Sequence, residues 1–113
     1  EYVTKPFSKK DKIIDYEDEK WIIAINGLKP WGTDGNFPKY EIEHINVILN
    51  EQKIDIPSAL TMDIYECDNT FDIYKIGETF FVYQSNSDGA GAYEIVWVIT
   101  KNGIKQKFVG CVY

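Results

Sequence analysis

Apolar and polar residues alternate most regularly in the last third of the chain. Residues 93–99 read YEIVWVI, so that Tyr93, Ile95, Trp97 and Ile99 recur with a period of two. Because successive side chains of a strand point to opposite faces, these four residues share one face, and none of them is charged. The pattern therefore predicts a strand whose uncharged face lies against the hydrophobic core.

This strand is predicted to turn back at Asn102-Gly103, because residues 104–113 form a second run rich in β-branched and aromatic residues. An Asn-Gly pair between two such runs is typical of a two-residue hairpin with a type I′ turn. The resulting register places Trp97 opposite Phe108 and the core under both rings. It also pairs Val96 with Val109, Ile99 with Gln106 and Glu94 with Cys111.

Two runs upstream, residues 71–76 and 79–84, are predicted to be strands of the same sheet. Gly77-Glu78 between them fits the Gly-X turn of a type II′ hairpin. Residues 85–92 (SNSDGAGA) then connect the second run to the strand that begins at Tyr93. Eight residues are many for a hairpin connection, and long ordered loops often carry function. The prediction is a meander of four antiparallel strands with one unusually long loop.

The first half of the chain shows weaker patterns. Residues 1–20 mix both charges and are predicted to form an irregular arm or an edge segment, whereas residues 21–25 (WIIAI) are apolar on both faces, which suits a central strand. Residues 40–49 are predicted to be a strand with a bulge near Glu43-His44, where the apolar phase shifts. An Asn50-Glu51 turn is expected to join this strand to residues 53–56.

Only one helix is predicted, a short one over residues 59–66, for which Ser58 is a plausible N-cap. The 113 residues fit a single domain, 1–113, without repeats or linkers. The fold class that follows is mainly β, with α+β at the margin. Its architecture is expected to be a strongly bent antiparallel sheet or a small sandwich.

The composition narrows the range of partners. Eighteen acidic and twelve basic side chains give a net charge of −6, which disfavours nucleic acid and suits a basic protein partner. No run approaches the roughly 20 apolar residues of a transmembrane helix, so no membrane span is predicted. The chain begins with Glu1 instead of Met, so a leader or lipid anchor could precede it. A periplasmic or secreted location is favoured on this basis over a cytoplasmic one.

Candidate catalytic and metal-binding residues are sparse. Cys67 and Cys111 form either one disulfide or two buried free thiols, and neither lies in a CxxC arrangement typical of zinc. His44 is the only histidine, and on a strand it would point away from Glu41 and Glu43, so we expect it to be solvated or hydrogen-bonded and not a metal ligand. We therefore predict no catalytic site, no metal and no cofactor.

The remaining candidate is a recognition surface on the long loop. Its small polar residues would let a partner approach the backbone closely, and loops on a rigid sheet are where binding residues usually lie. The alternative is a mobile connector without a function of its own. The candidate binding residues are Ser85, Asn86, Ser87, Asp88, Gly89, Ala90, Gly91, Tyr93 and Lys101.

Two local motifs resemble bacterial lysozyme-inhibitor proteins, which carry a Ser/Gly/Ala-rich loop ending in tyrosine and a Thr-Lys-Gly turn. The matching residues, with Asn102 inserted in the second motif, are Ser87, Gly89, Ala90 and Tyr93, then Thr100, Lys101 and Gly103. The DGAGxY…W…NG pattern is also similar to small bacterial proteins, some of which are thought to neutralise toxins. Either resemblance implies a protein that blocks an enzyme.

The expected function is therefore that of a non-enzymatic binding protein of inhibitor or immunity type, which blocks a basic enzyme or toxin through residues 85–93. One alternative is a small-molecule-binding domain with a pocket under the loop over residues 26–39. That pocket would be lined by Trp21, Trp31, Phe37 and Tyr93. Another alternative is a structural module of an exported or surface protein.

Overall fold

The computed structural model describes residues 1–111 and is mainly β, with antiparallel strand pairs, as predicted. The described residues contain ten strands. They are β1 (Tyr2–Pro6), β2 (Ile14–Glu17), β3 (Trp21–Ile25), β4 (Tyr40–Ile45), β5 (Val47–Leu49), β6 (Gln52–Ile54), β7 (Asp72–Ile76), β8 (Thr79–Asn86), β9 (Tyr93–Thr100) and β10 (Gly103–Cys111).

The C-terminal strands form the predicted four-stranded meander, in the order β10-β9-β8-β7. The turn between β7 and β8 is also as predicted, because Ile76 pairs with Thr79 and Gly77 takes a positive φ of 61°. Tyr93, Ile95, Trp97 and Ile99 are all buried, which confirms the uncharged face of β9 as the core face. The last two residues of the predicted strand over 104–113 lie outside the described residues.

The predicted register of the C-terminal hairpin is wrong by one residue from Glu94 to Trp97 and by two residues at Ile99, beyond the bulge between Ile104 and Gln106. Trp97 pairs with Lys107, so Phe108 lies opposite Val96 on the other face of the sheet, where it is 52% exposed. Neither Lys101 nor Asn102 has a positive φ, whereas Gly103 has a φ of 118°. These angles fit a three-residue loop with a glycine bulge and exclude a type I′ turn. The other predicted pairs fail with it, since Val109 pairs with Ile95, Ile104 with Ile99, and Gly110 with Glu94.

Strands β1 and β4 pair with each other and supply part of the layer over the meander. Tyr2 on β1 is 3% exposed, and its hydroxyl oxygen accepts a hydrogen bond of 2.9 Å from Nε1 of Trp97. An indole N–H that is buried with a partner avoids the cost of an unmade hydrogen bond. Beside Tyr2, the buried residues of this main core are Ile64, Tyr93, Ile95, Trp97 and Ile99.

Residues 1–20 are more regular than predicted, since they contain both β1 and β2. Strand β3 pairs only with β2, and Trp21 and Ile23 are each about half exposed, so the expectation of a central strand was wrong. Ile25 is buried in a smaller second cluster with Ile22 and Tyr65. The apolar run over residues 21–25 thus belongs to a two-stranded pair in which only Ile22 and Ile25 are buried.

The predicted strand over 40–49 is broken at Asn46 into β4 and β5. The expected bulge is present, because Val3 pairs with His44 and Thr4 with Ile42, which leaves Glu43 as the extra residue. Asn50-Glu51 forms the predicted turn into β6, with both residues at positive φ.

The short helix predicted over residues 59–66 is wrong. The chain there makes only a 3-10 turn at Ser58–Leu60, and Pro57, not Ser58, precedes it as the cap. Beyond that turn the backbone pairs with a distant segment: the amide of Trp31 donates to Asp63 O, and the amide of Tyr65 donates to Trp31 O, both at 2.9 Å. Those hydrogen bonds replace the ones that a continued helix would make.

Candidate functional site

The long connection between β8 and β9 is shorter than the sequence suggested, because β8 continues through Asn86. Residues 87–92, which we call the 87–92 loop, contain one 3-10 turn at Gly89–Gly91. Its tip, Asp88 to Ala90, is exposed, and a Cβ added to Gly89 would find no atom within 4 Å. Backbone and small side chains are therefore accessible at the tip.

A buried network of polar side chains holds the base of this loop. Gln84 and Asn86 are each 1% exposed, and Nδ2 of Asn86 donates to Oε1 of Gln84 at 3.2 Å. Oδ1 of Asn86 accepts from the amide of Asp68 at 3.2 Å, and the Gln84 amide group donates to the carbonyl oxygen of the same residue. Since buried polar groups must be paired, these bonds fix the end of β8 to the segment around Asp68.

Tyr93, at the other end of the loop, extends this network. It is fully buried, and its hydroxyl donates to the carbonyl oxygen of Tyr65 at 2.7 Å. Sγ of Cys67 lies 3.2 Å from the Tyr93 hydroxyl oxygen and accepts from Nδ2 of Asn86 at 3.6 Å. Because the tyrosine proton is directed at Tyr65, we assign the thiol as donor to the Tyr93 oxygen. Both ends of the loop are thereby tied to one buried cluster.

Burial also sets the protonation of these groups. Loss of solvent raises the pKa of the Cys67 thiol to about 12, and it raises the pKa of the Tyr93 phenol well above its ordinary value. Both groups stay protonated at neutral pH, and a protonated thiol is a poor nucleophile. The cluster is therefore suited to hold a loop in place. Both cysteines are free thiols, so the predicted disulfide is absent. The alternative of two buried thiols is also wrong, because Cys111 is exposed.

The 87–92 loop packs tightly against residues 32–39. Oγ of Ser87 donates to the carbonyl oxygen of Gly32 at 2.8 Å. A Cβ on Gly91 would come within 2.9 Å of that same oxygen, and a Cβ on Gly32, whose φ is 104°, would overlap the Tyr65 carbonyl. Glycine is therefore required at position 91 for the close approach of the two loops, and at position 32 for the close approach to the backbone of Tyr65.

An open groove with a volume of about 360 Å³ runs between the two loops. Asp34 and Asp88 are exposed carboxylates along it, and Lys39 is the basic residue of its lining. Glu66 also lines the groove, but its Oε1 accepts from the amides of Lys39 and Tyr40 at 2.7 and 2.9 Å. The groove is thus acidic at its rim, while Glu66 acts chiefly as a backbone acceptor.

The structure brings most of the predicted binding residues together, in two roles. The exposed ones are Ser85 on β8 and the loop tip from Asp88 to Ala90, with Ser87 and Gly91 partly exposed behind the tip. Asn86 and Tyr93 are buried and support the loop from below. Lys101 lies at the opposite end of β9, about 25 Å away along the strand, so it does not belong to this site.

The alternative pocket does not form from its predicted residues. Trp31 packs on Tyr93 with ring centroids 6.1 Å apart, Phe37 packs on Phe7, and Trp21 lies over Gly35. Trp31 and Tyr93 therefore pack together, whereas Trp21 and Phe37 make their contacts elsewhere. His44 is exposed, as expected, and the described residues contain no group of three or more His, Cys, Asp or Glu side chains arranged to hold a metal.

A second concavity, which was not predicted from the sequence, lies between the meander and the β5–β6 hairpin, and we call it the apolar groove. Its volume is about 270 Å³, and its floor includes Trp97 and Val82. The other apolar side chains that line it are Tyr2, Ile45, Val47, Ile48, Leu49, Ile56, Phe71, Ile73, Phe80 and Ile99, and its polar lining residues are Glu1 and Asn46.

No helix among the described residues is long and apolar enough to cross a membrane. Comparison of the chain with protein-family models, curated proteins and solved structures finds no match. The functional argument therefore rests on the residues and contacts described above.

Proposed function

We propose that this chain is a non-enzymatic binding protein of inhibitor or immunity type, which blocks a partner protein through residues 85–93. The observation that carries the proposal is an exposed tip of small residues, Asp88 to Ala90, above the fully buried side chains of Asn86 and Tyr93. A loop that is already ordered loses little conformational entropy when it binds, so rigid support favours affinity.

The partner that fits this surface is a basic protein. The chain has a net charge of −6, and Asp34 and Asp88 place two exposed carboxylates along the groove beside the loop. Complementary charge raises the association rate and suppresses wrong partners more than it raises affinity. The resemblance to lysozyme-inhibitor proteins, carried by Ser87, Gly89, Ala90 and Tyr93, makes lysozymes the first basic enzymes to test.

A lysis assay with lysozymes of several classes, with and without the purified chain, provides the first test. If none is inhibited, affinity capture from the native organism, followed by calorimetry with the captured protein, extends the test to other enzymes. In either case the Asp88→Lys variant should weaken binding at least about tenfold, because it reverses a charge at the proposed contact.

Glu78→Lys is the matched control for Asp88→Lys. Glu78 is an exposed acidic residue in the β7–β8 turn, at the opposite end of the sheet, and its replacement changes the net charge by the same amount. Equal losses in the two variants would mean that only total charge matters, and would refute a site at the loop. Failure to recover any loop-dependent partner at micromolar concentration would also contradict the proposal.

A second candidate function is the binding of a small apolar ligand in the apolar groove. At about 270 Å³ the groove is slightly below the usual range of ligand pockets, and its lining is mainly apolar, with Glu1 and Asn46 as its polar residues. Titration with a fluorescent apolar probe tests it, with Val82→Trp as the variant that fills the floor. Equal fluorescence enhancement in both proteins, or none in either, would exclude this groove as the site.

A further inference from the structure

The two edges of the meander differ in how they are protected. The β10 edge carries a bulge between Ile104 and Gln106, and Nζ of Lys107 is bound to Leu60 O and Asp63 Oδ1. Bulges and lysines are the devices with which proteins prevent strand edges from pairing. The β10 edge is therefore protected against pairing with a strand of another chain.

The β7 edge is less protected, because Lys75 is its one lysine and its pairing with β8 carries no bulge. All five of its residues are exposed, including Ile73 at 63%, Tyr74 at 61% and Ile76 at 71%. Its pairing with β8 is regular from Asp72 to Ile76, without a bulge or a proline. A flat, exposed and largely apolar edge strand is a surface for pairing with another strand.

The turn geometry shows which backbone groups of β7 are free. In a two-residue hairpin the residues that flank the turn form a closely spaced hydrogen-bonded pair, here Ile76 with Thr79. Hydrogen-bonded pairs alternate with non-bonded pairs along the strand. The amide and carbonyl groups of Ile73 and Lys75 therefore point away from β8, towards solvent.

The geometry points to a second copy of this chain as the occupant of the β7 edge, in an antiparallel β7–β7 pair. Registers that keep the outward groups facing each other are centred on Ile73, Tyr74 or Lys75. Centring on Lys75 places two like charges opposite each other, and centring on Ile73 leaves part of each strand unpaired. Centring on Tyr74 pairs all five residues and forms about four backbone hydrogen bonds.

This register is symmetric and avoids directly opposed like charges. It places Lys75 opposite Ile73 of the second copy and Asp72 opposite Ile76 of the second copy, so that no like charges lie directly opposite each other, and the two Lys75 side chains are only diagonal neighbours. The two Tyr74 rings face each other at a non-hydrogen-bonded position, where cross-strand side chains are closest. Because Asp72 and Lys75 cancel, β7 contributes no net charge, and two chains of −6 can meet there without local repulsion.

The groove side of the sheet supports the same pairing. Ile73 lies in the wall of the apolar groove, and in this register the aliphatic stem of Lys75 from the second copy lies across it. The symmetric product is a continuous eight-stranded sheet with closed two-fold symmetry. It leaves the 87–92 loop of each copy exposed, so this inference does not depend on the proposed function.

The test compares Lys75→Pro with Lys75→Ala by light scattering and sedimentation at up to about 1 mM protein. Proline removes an amide that points to solvent within one chain, which an edge strand tolerates, but it removes a donor from the pair between copies. We expect twice the monomer mass for the wild type and for Lys75→Ala, and the monomer mass for Lys75→Pro.

A second variant, Tyr74→Lys, places two lysines opposite each other and should also halve the mass while leaving the folded circular dichroism spectrum unchanged. A wild-type chain that stays monomeric throughout this concentration range would overturn the proposal. A Lys75→Pro variant that remains dimeric would do so too, because a dimer would then use another surface.

Discussion

Asn86 is the residue whose replacement best tests whether the buried network supports the 87–92 loop. Its side chain makes three hydrogen bonds, to Oε1 of Gln84, to the amide of Asp68 and to Sγ of Cys67. In Asn86→Ala the buried Gln84 oxygen loses its partner, which costs about 1–3 kcal/mol, and the partly buried amide and the small cavity add to this. We expect a loss of about 2–4 kcal/mol in the free energy of unfolding.

Urea denaturation measures this loss, and hydrogen exchange locates it. If the network orders the loop, the amides of residues 87–92 should exchange faster in Asn86→Ala. The exchange rates of amides in β9 and β10 should rise only as far as the lower free energy of global unfolding requires. A loss below about 1 kcal/mol, with unchanged exchange in the loop, would refute the role that we assign to the network.

The Asn86→Asp variant tests the same network through the direction in which its stability changes with pH. A buried carboxylate can accept from the Asp68 amide but cannot donate to Oε1 of Gln84, whereas the protonated acid can do both. Burial should therefore raise the pKa of the new carboxyl in the folded state. The variant's stability should be highest below the pKa of the unfolded chain and should fall as pH rises towards the folded pKa. Asn86→Ala should lack this pH dependence, and equal pH profiles would contradict the geometry.

Three further outcomes follow from burial. In urea denaturation, Trp97→Ala should lower the free energy of unfolding by about 3–5 kcal/mol and Phe108→Ala by less than about 1 kcal/mol, because only the tryptophan is buried. Similar losses in the two variants would contradict the observed register. A thiol reagent should label Cys111 rapidly and the partly buried Cys67 more slowly, and equally fast labelling of both thiols would contradict the difference in their exposure. Because the pKa of Cys67 rises from 9.0 to about 12, its stabilising effect should be complete below pH 9 and decline above it, by roughly 1.4 kcal/mol per pH unit. The tyrosines titrate in both proteins, so denaturation between pH 9 and 10 should show a flatter profile for Cys67→Ala than for the wild type, and parallel profiles would refute the shift.

The meander could be predicted from the sequence because its signals are local. The alternation over 93–99 and the Gly77-Glu78 turn each depend on neighbouring residues only, and both are correct. The register of the last hairpin was not predictable in the same way. Asn-Gly is compatible with a type I′ turn and with a type I turn followed by a glycine bulge, and these differ in the φ of Asn102. One residue of slip moves Phe108 from the core to the surface.

The helix predicted over 59–66 failed for a non-local reason. Its local signals are sound, but the backbone of Asp63 and Tyr65 bonds to Trp31, more than thirty residues away. The candidate site shows the same limit. The small residues of the loop marked it in the sequence, whereas the burial of Asn86 depends on Cys67 and Asp68, which come from a separate segment.

The two proposed surfaces lie at separate places on the sheet, and this fixes what a dimer could do. The two-fold axis would pass beside Tyr74, which pairs with Phe81, whereas the loop begins after Asn86, about 17 Å farther along β8. Antiparallel pairing sends the two loops in opposite directions, so they would lie at least about 34 Å apart along the strands. A single small enzyme cannot contact both. Pairing through β7 would therefore give two independent binding sites, and avidity would arise only with a partner that is itself multivalent.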